Sequence, residues 1–347
     1  MWAPRSTLDQ LEDRPWLSKR ADAVLESNSL RRSLWQRFEL GPLARRNGCS
    51  LVFAPGGVAT TTFRPVVTMC RNMLPFEPKE LRRFGLSAQT ARLMILRLAQ
   101  ARSFRQASGV IFLTAYARSV IADRVGPISG VDAVVPHGID GRFFEVQPEE
   151  RSTGERPLEI VYVSIVDHYK HQDAVSEAVA RLAAAGAPVH LTLVGPAYAP
   201  ALRRLRRTLA RVDPEGRCVE YAGPMEYKDI HAAYARADIG LFASSCENMP
   251  NILLEKMAAG LPIACSNRGP MPEILGDAGV YFDPESVDGI MVSLMTLIGD
   301  PSLRNRLAGD ARRRASQYSW GLCAEQTFAF LARVADTAER GRGEPGS

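Results

Sequence analysis

The chain has 347 residues, 46% of them hydrophobic and 23% charged, with a formal net charge of +5. That length suggests two domains with large cores. No apolar run approaches the ~18 residues that span a bilayer, and the N-terminus lacks a signal-peptide core, so the cytoplasm is the expected location.

In chain order, the first segment, residues 7–48, is polar and helical in pattern, with arginine pairs at Arg31-Arg32 and Arg45-Arg46. Ser50 to Ala54 and Pro65 to Met69 read as strands, Ala88 to Ala107 as a helix, and Val110 to Thr114 and Ala133 to Val135 as further strands. Gln147 to Pro157 is a polar linker. Beyond it the alternation becomes regular. Strands are expected at Leu158 to Val163, Val189 to Val194, Cys218 to Ala222, Ile239 to Ala243, Pro262 to Cys265 and Val280 to Phe282. Helices are expected at Gln172 to Ala185, Ala201 to Val212, Glu226 to Ala237, Pro250 to Ala259 and Met271 to Leu275. Helices finish the chain before a Gly-, Pro- and charge-rich tail, Arg340 to Ser347, which reads as disordered. Such spacing implies parallel βαβ units and doubly wound sheets. Two α/β domains joined at 147–157 would leave a cleft, a common place for a ligand.

Charge divides unevenly between the halves. Residues 1–145 carry 21 Lys and Arg against 12 Asp and Glu, and the remainder carries 22 against 26. Nucleic acid, an anionic membrane and a phosphorylated substrate all fit a basic first half. Six scattered cysteines without a Cys-x-x-Cys pair argue for reduced thiols, and five histidines form no ligand cluster.

The richest stretch runs from Ser245 to Pro262. Glu247 and Glu255 stand eight positions apart, after an apolar strand and around a short helix closed by Gly260. Pro250 suits the first helical position, which leaves Glu247 in the loop and Glu255 in the second turn, roughly 7–8 Å along the axis at ~1.5 Å per residue. In open parallel sheets ligands bind at the carboxyl ends of strands. One acid for each of two hydroxyl-bearing groups, with a helix N-terminus facing a diphosphate between them, is the chemistry this spacing suits.

Glu159 to Phe282 resembles the donor-binding domain of retaining glycosyltransferases of family four, which have the two-Rossmann GT-B fold. The resemblance rests on Glu247-x7-Glu255, the following Lys256-Met257-Ala258-Ala259-Gly260-Leu261-Pro262, and Met271-Pro272-Glu273-Ile274. Gly195 and Gly223 at strand ends add to it, as do Pro136-His137-Gly138-Ile139-Asp140 with Phe143 and Phe144, and Tyr318-Ser319-Trp320. It implies a nucleotide-diphosphate sugar as donor, a glycan or lipid-linked acceptor, and a metal-independent, retaining transfer that needs no cofactor and no nucleic acid. An envelope polysaccharide pathway would be the setting. Glu255 would bind the ribose hydroxyls and Glu247 would lie by the donor sugar. Asn248, Met249, Pro250 and Asn251 would offer backbone N–H groups. Gly195, Gly223 and Pro224 would let backbone approach the nucleotide.

Lys170 would neutralise the leaving diphosphate. Many family members carry Arg where this chain has Ile165, so Arg268 or Arg71 is the expected second cation. Arg71 and Asn72 fall in a loop on the acceptor side. The family's opening strand, Gly-rich turn and helix have no counterpart before Ser50, so the first domain (1–146) is expected to be reduced at its N-terminus. The second domain spans 158–320, with a closing helix over 321–339. Arg82, Arg83, Arg92, Arg97, Arg102 and Arg105 suggest peripheral contact with an anionic membrane face. A same-fold epimerase would need an acid/base set in the first domain, which is not found. A non-catalytic nucleotide-sugar-binding or partner protein is the reading from another class.

Overall fold

The computed structural model describes residues 1–147 and 156–343, with side chains as far as Arg340. Most of the linker, 148–155, and the last tail residues, 344–347, lie outside the described residues. Two parallel sheets organise the chain.

The second is the larger. Its strands are β5 (Leu158–Val163), β6 (Val189–Val194), β7 (Val219–Gly223), β8 (Ile239–Phe242), β9 (Ile263–Ser266) and β10 (Val280–Phe282). Their order is β10-β9-β8-β5-β6-β7, every pair parallel. The order therefore reverses between β5 and β8, and an open α/β sheet binds its ligands at such a switch point. Ile160 to Val163 and Ile239 to Phe242 are buried throughout, as central parallel strands covered on both faces must be.

The first sheet holds β1 (Val52–Ala54), β2 (Val66–Met69), β3 (Gly109–Phe112) and β4 (Val131–Val134), in that spatial order. It is the smaller, and its order runs without reversal, so this domain is Rossmann-like with one winding only. Period-two alternation shows how its faces are covered. Val66, Val110 and Phe112 pack with Trp35, Phe104, Ala117 and Ile121 from the domain's own helices. Val67, Met69 and Ile111 join the other core, with Phe330 and Val334 from the last helix, Trp320–Gly343. A Cβ on Gly109 would stand 3.0 Å from both Phe330 and Val334, so a bare strand residue is needed where that helix crosses. The last helix thus returns to cover the first domain, and it runs through Gly343, into the stretch that the sequence reads as tail.

Residues 7–48 form α-helix only in part, at Ser29–Phe38 and Leu40–Arg46, while most of 9–28 is irregular apart from a 3-10 turn at Ala23–Glu26. The span read as one helix from Glu226 is a 3-10 turn, Tyr227–Asp229, followed by the helix Ile230–Ala235. Pro250 sits one residue before the helix Asn251–Ala258 rather than inside it. Its carbonyl accepts from the N–H groups of Leu253 and Leu254 at 2.9 and 3.1 Å.

Candidate functional site

The loops leaving β5 and β8 meet at the switch point. After β5, a 3-10 turn His168–Lys170 is followed by His171, whose φ of 52° is the left-handed conformation. This sharp turn swings Lys170 inward. Its ammonium pairs with the carboxylate of Glu247 from the β8 loop. It also lies over the rings of Tyr169 and Phe242, at 5.2 and 5.4 Å. The Lys170 side chain is only 5% exposed and that of Glu247 16%. The Tyr162 hydroxyl donates to the Lys170 carbonyl at 2.8 Å and pins the turn from below.

A cavity of about 180 Å³ opens on the Glu247 side of this pair, lined by Arg71, Asn72, Tyr169, Cys246, Glu247 and Asn248 among others. Both domains contribute, so this is the cleft. Asn248 ties them together, donating to the Cys70 carbonyl at 3.2 Å. Its carbonyl accepts from the Thr114 hydroxyl at 3.1 Å. Ser164 Oγ, Asn248 Oδ1 and Asn251 Oδ1 are buried without a hydrogen-bond partner among the described residues. Buried polar atoms are ordinarily paired.

Glu255 has a different setting. It faces inward, 3% exposed, and accepts from the Tyr234 hydroxyl at 3.0 Å. Burial raises its pKa, against the pull of the Lys256 ammonium. The two acids of the motif therefore sit on opposite sides of the helix start, Glu247 in the open cleft and Glu255 beneath it. Lys256 is fully buried, ringed by Tyr162, Tyr234 and Phe242 at 5.8, 5.6 and 5.3 Å.

The remaining expected residues scatter. Gly195 has φ 143°, and a Cβ there would stand 2.1 Å from the Ser164 carbonyl oxygen. Its bareness serves a close approach between the ends of β5 and β6. Gly223, at φ 80°, and the exposed Pro224 lie at the end of the edge strand β7, beyond β6 from the switch point. Met249 and Pro250 are buried. Arg268 is engaged elsewhere, donating to Asp283 at 2.7 Å. Arg71 lines the cavity beside Glu247. Asn72 accepts from the Leu74 N–H at 3.0 Å, the local turn bond expected of asparagine.

Several residues across the cleft take roles that the sequence reading did not give them. Arg83, grouped there with a membrane face, donates instead to Glu80 and to Glu285 of the second domain, each at 2.6 Å. Lys79 also pairs with Glu285, and the two cations hold that carboxyl down at about 2. Arg105, exposed, donates to the Val125 carbonyl of its own domain at 2.9 Å. The buried Glu80 accepts from the Ser245 hydroxyl at 2.7 Å, and His171 Nε2 lies 2.9 Å from the same oxygen. Burial and the nearby Arg83 charge push His171 down to about 4, so it is neutral and its Nε2–H donates to Ser245. Glu273 accepts the N–H groups of Ala115 and Tyr116, at 2.8 and 2.9 Å, capping the helix Ala115–Val125 from the other domain. The one signal for these was Glu273 within its motif. Glu80 and His171 carry no local pattern.

Residues 143–314 match the family model described as "Glycosyl transferases group 1". That segment is similar to group 1 glycosyltransferases. It is 34% identical over 110 residues to the O-antigen chain mannosyltransferase B of Escherichia coli, covering 32% of this chain and 29% of that one. It is 27% identical over 248 residues to a glycogen synthase of Mycobacterium tuberculosis, covering 70% of this chain and 57% of that one. The chain thus spans less than two thirds of either relative's length. Among solved structures, the glycosyltransferase-fold protein Alr3699/HepE of Anabaena, in complex with UDP and glucose, superposes with a TM-score of 0.66 at 19% identity, over 91% of this chain and 85% of that one. The shared fold is GT-B: two parallel α/β domains facing a cleft.

Proposed function

We propose that this protein transfers a hexosyl unit from a nucleotide-diphosphate sugar to a glycan or glycolipid acceptor, with retention of configuration and without a metal, in envelope polysaccharide synthesis. The observation that carries the reading is the Lys170–Glu247 pair at the β5/β8 switch point, whose Glu247 lines a cavity shared by both domains. In this reading Lys170 exchanges Glu247 for the donor diphosphate. Glu247 is thereby released to face the donor sugar, and the unpartnered Asn248 and Asn251 oxygens take sugar hydroxyls. The relatives' names, a mannosyltransferase and a glycogen synthase, support a hexose donor. Calorimetry with UDP-, GDP- and ADP-sugars tests donor binding, and the anomeric configuration of the product tests retention. Turnover that survives EDTA unchanged is expected.

Ile165 in place of the family's arginine favours a second reading, a nucleotide-sugar-binding protein without turnover. Donor binding with neither transfer nor donor hydrolysis would select it.

Two substitutions probe the donor side. Glu255→Ala is expected to weaken donor binding by roughly 1.5–3 kcal/mol, the worth of a charged hydrogen bond. Unchanged affinity in a folded variant would leave Glu255 a core residue serving Tyr234. Because Arg71 lines the cavity while Arg268 is spent on Asp283, Arg71→Ala should weaken donor binding about tenfold. Arg268→Ala should alter it far less. Calorimetry on the pair separates the roles, and the reverse ranking would return the second cation to Arg268.

A further inference from the structure

One short segment of the first domain touches both loops that carry the Lys170–Glu247 pair. It is the helix Pro78–Arg82 with the two residues after it. Its apolar side chains pack on the β5 turn. Leu81, Phe84 and Leu93 form a small core of their own, against which Tyr169 and Tyr198 rest. The Phe84 ring meets those of His168 and Tyr198 with centroids 5.5 and 6.0 Å apart. Its polar side chains reach the β8 loop and the loop beyond β10. Glu80 accepts from the Ser245 hydroxyl at 2.7 Å, while Lys79 and Arg83 hold Glu285.

Ser245 is the node of this contact. A hydroxyl has one proton to give and two lone pairs to accept with. The neutral His171 donates its Nε2–H to Ser245 Oγ, 2.9 Å away, so the hydroxyl proton goes to Glu80. The Tyr169 carbonyl, 3.2 Å from the same oxygen, is the hydroxyl's alternative acceptor, and it also takes the Ser245 N–H at 2.8 Å. One residue thus joins Tyr169 and His171, on either side of Lys170, to a carboxylate of the other domain. It stands two positions before Glu247. Glu80 is 4% exposed, and Arg83 Nε meets the same carboxylate oxygen at 2.6 Å. A buried ion pair is a poor source of stability, because desolvation offsets the attraction, and an apolar contact of like volume would hold the domains as well. A satisfied polar network contributes a single permitted geometry instead.

We infer that Glu80 is a positioning residue: through Ser245 it fixes the β5 turn and the β8 loop against the first domain, and so sets where Lys170 and Glu247 stand toward Arg71 and Asn72 across the cleft. Neither Glu80 nor Ser245 lines the cavity, so both act through the pair they hold. This role rests on the transfer reading, in which that pair meets the donor, whereas the hydrogen-bonded tie can be tested without any transfer. A misplacement of about 1 Å at a reacting pair costs on the order of a hundredfold in rate.

Turnover is to be read in the full chain as nucleoside diphosphate released, with water as acceptor, from whichever of UDP-glucose, GDP-mannose and ADP-glucose binds. Ser245→Ala is expected to lower kcat about a hundredfold. Glu80→Gln should lower it about tenfold, because the Ser245 hydroxyl can then turn to the Tyr169 carbonyl. Donor affinity by calorimetry should stay within about twofold for both. Ser245→Thr, which keeps the hydroxyl, should restore kcat to within about threefold of the wild type. The double variant Glu80→Gln/Ser245→Ala should be no slower than Ser245→Ala alone, because both changes break one tie. Thermal melts show which variants are folded, and Ser245→Ala with its threonine rescue carries the test should Glu80→Gln unfold. Unchanged kcat in Ser245→Ala overturns the inference, as does a loss that threonine does not restore, or losses that multiply in the double variant. Hydrogen exchange read by mass spectrometry checks the tie without turnover. Amides of residues 164–172 and 243–250 should exchange about tenfold faster in each folded variant, with the rest of the second sheet unchanged. A wild-type chain that binds donor and releases nothing would defeat the transfer reading. The exchange rates then decide the tie alone, and rates equal to the wild type's overturn it under either reading.

Discussion

Lys170→Met is expected to lower turnover by about 10²–10³-fold while weakening donor binding much less, the signature of a group that acts mainly on charge developing in the transition state. Departure of a nucleoside diphosphate builds negative charge on the leaving oxygen, and a fixed cation in a water-poor site stabilises it without reorganising. Lys170 meets both requirements. It is 5% exposed, held by a left-handed turn at His171, and flanked by the rings of Tyr169 and Phe242. Ile165 brings no charge to the same loop. In the free protein the ammonium is paired with Glu247, so the single variant also leaves a carboxylate in the cleft facing an anionic donor. The double variant Lys170→Met/Glu247→Gln should therefore bind donor better than Lys170→Met alone, yet remain as slow. Single-turnover rates measured across a donor titration separate the two effects. Normal turnover in Lys170→Met would move the role to Arg71.

The second sheet was largely legible because its strands are short apolar runs bounded by glycine and proline. Leu158–Val163, Val189–Val194 and Val280–Phe282 form at the residues the pattern marks. Their order was not legible, since nothing local says that β5 lies beside β8. That non-local fact is what brings Lys170 and Glu247, 77 positions apart, into contact. Sequence spacing placed Glu247 and Glu255 on either side of a helix start, and so the structure has them. It could not tell that Glu255 turns inward onto Tyr234, because the inward face depends on the helix Ile230–Ala235, whose start was misread. Glu80, Ser245, His171 and Arg83 form a chain across the cleft that no motif announces. Each is a polar residue given meaning by a partner on another element. The grouping of Arg83 with a membrane face failed for the same reason: charge counted along a helix says nothing of an acid arriving from another domain.

Lys256 is the residue whose burial the sequence least suggests, and it supports the second large effect. It stands one position after Glu255 in a helix that faces the core, with the rings of Tyr162, Tyr234 and Phe242 around its ammonium and the Val163 carbonyl 3.5 Å away. Burial pushes its pKa down to about 7, against the opposing pull of Glu255. The charged groups that bear on it are Glu255 and Glu247, which favour the ammonium, and Lys170, which disfavours it. In the unfolded chain the amine keeps its ordinary value of 10.5. Between about 7 and 10.5 the unfolded state therefore binds a proton that the folded state does not, and this group makes stability rise with pH across that window. Below it both states are protonated and the full cost of the buried charge is carried. Lys256→Met keeps the length of the side chain and removes the charge. It should stabilise the fold by roughly 1–4 kcal/mol near and below neutrality, the order expected of removing a charge whose burial depresses its pKa, less as pH rises toward the upper end of the window. Urea unfolding at about pH 6 and about pH 9, for both proteins, reads the difference directly. Destabilisation at the lower pH would mean that Glu255, raised by burial and losing its nearest counter-charge, needs the ammonium more than the core resents it.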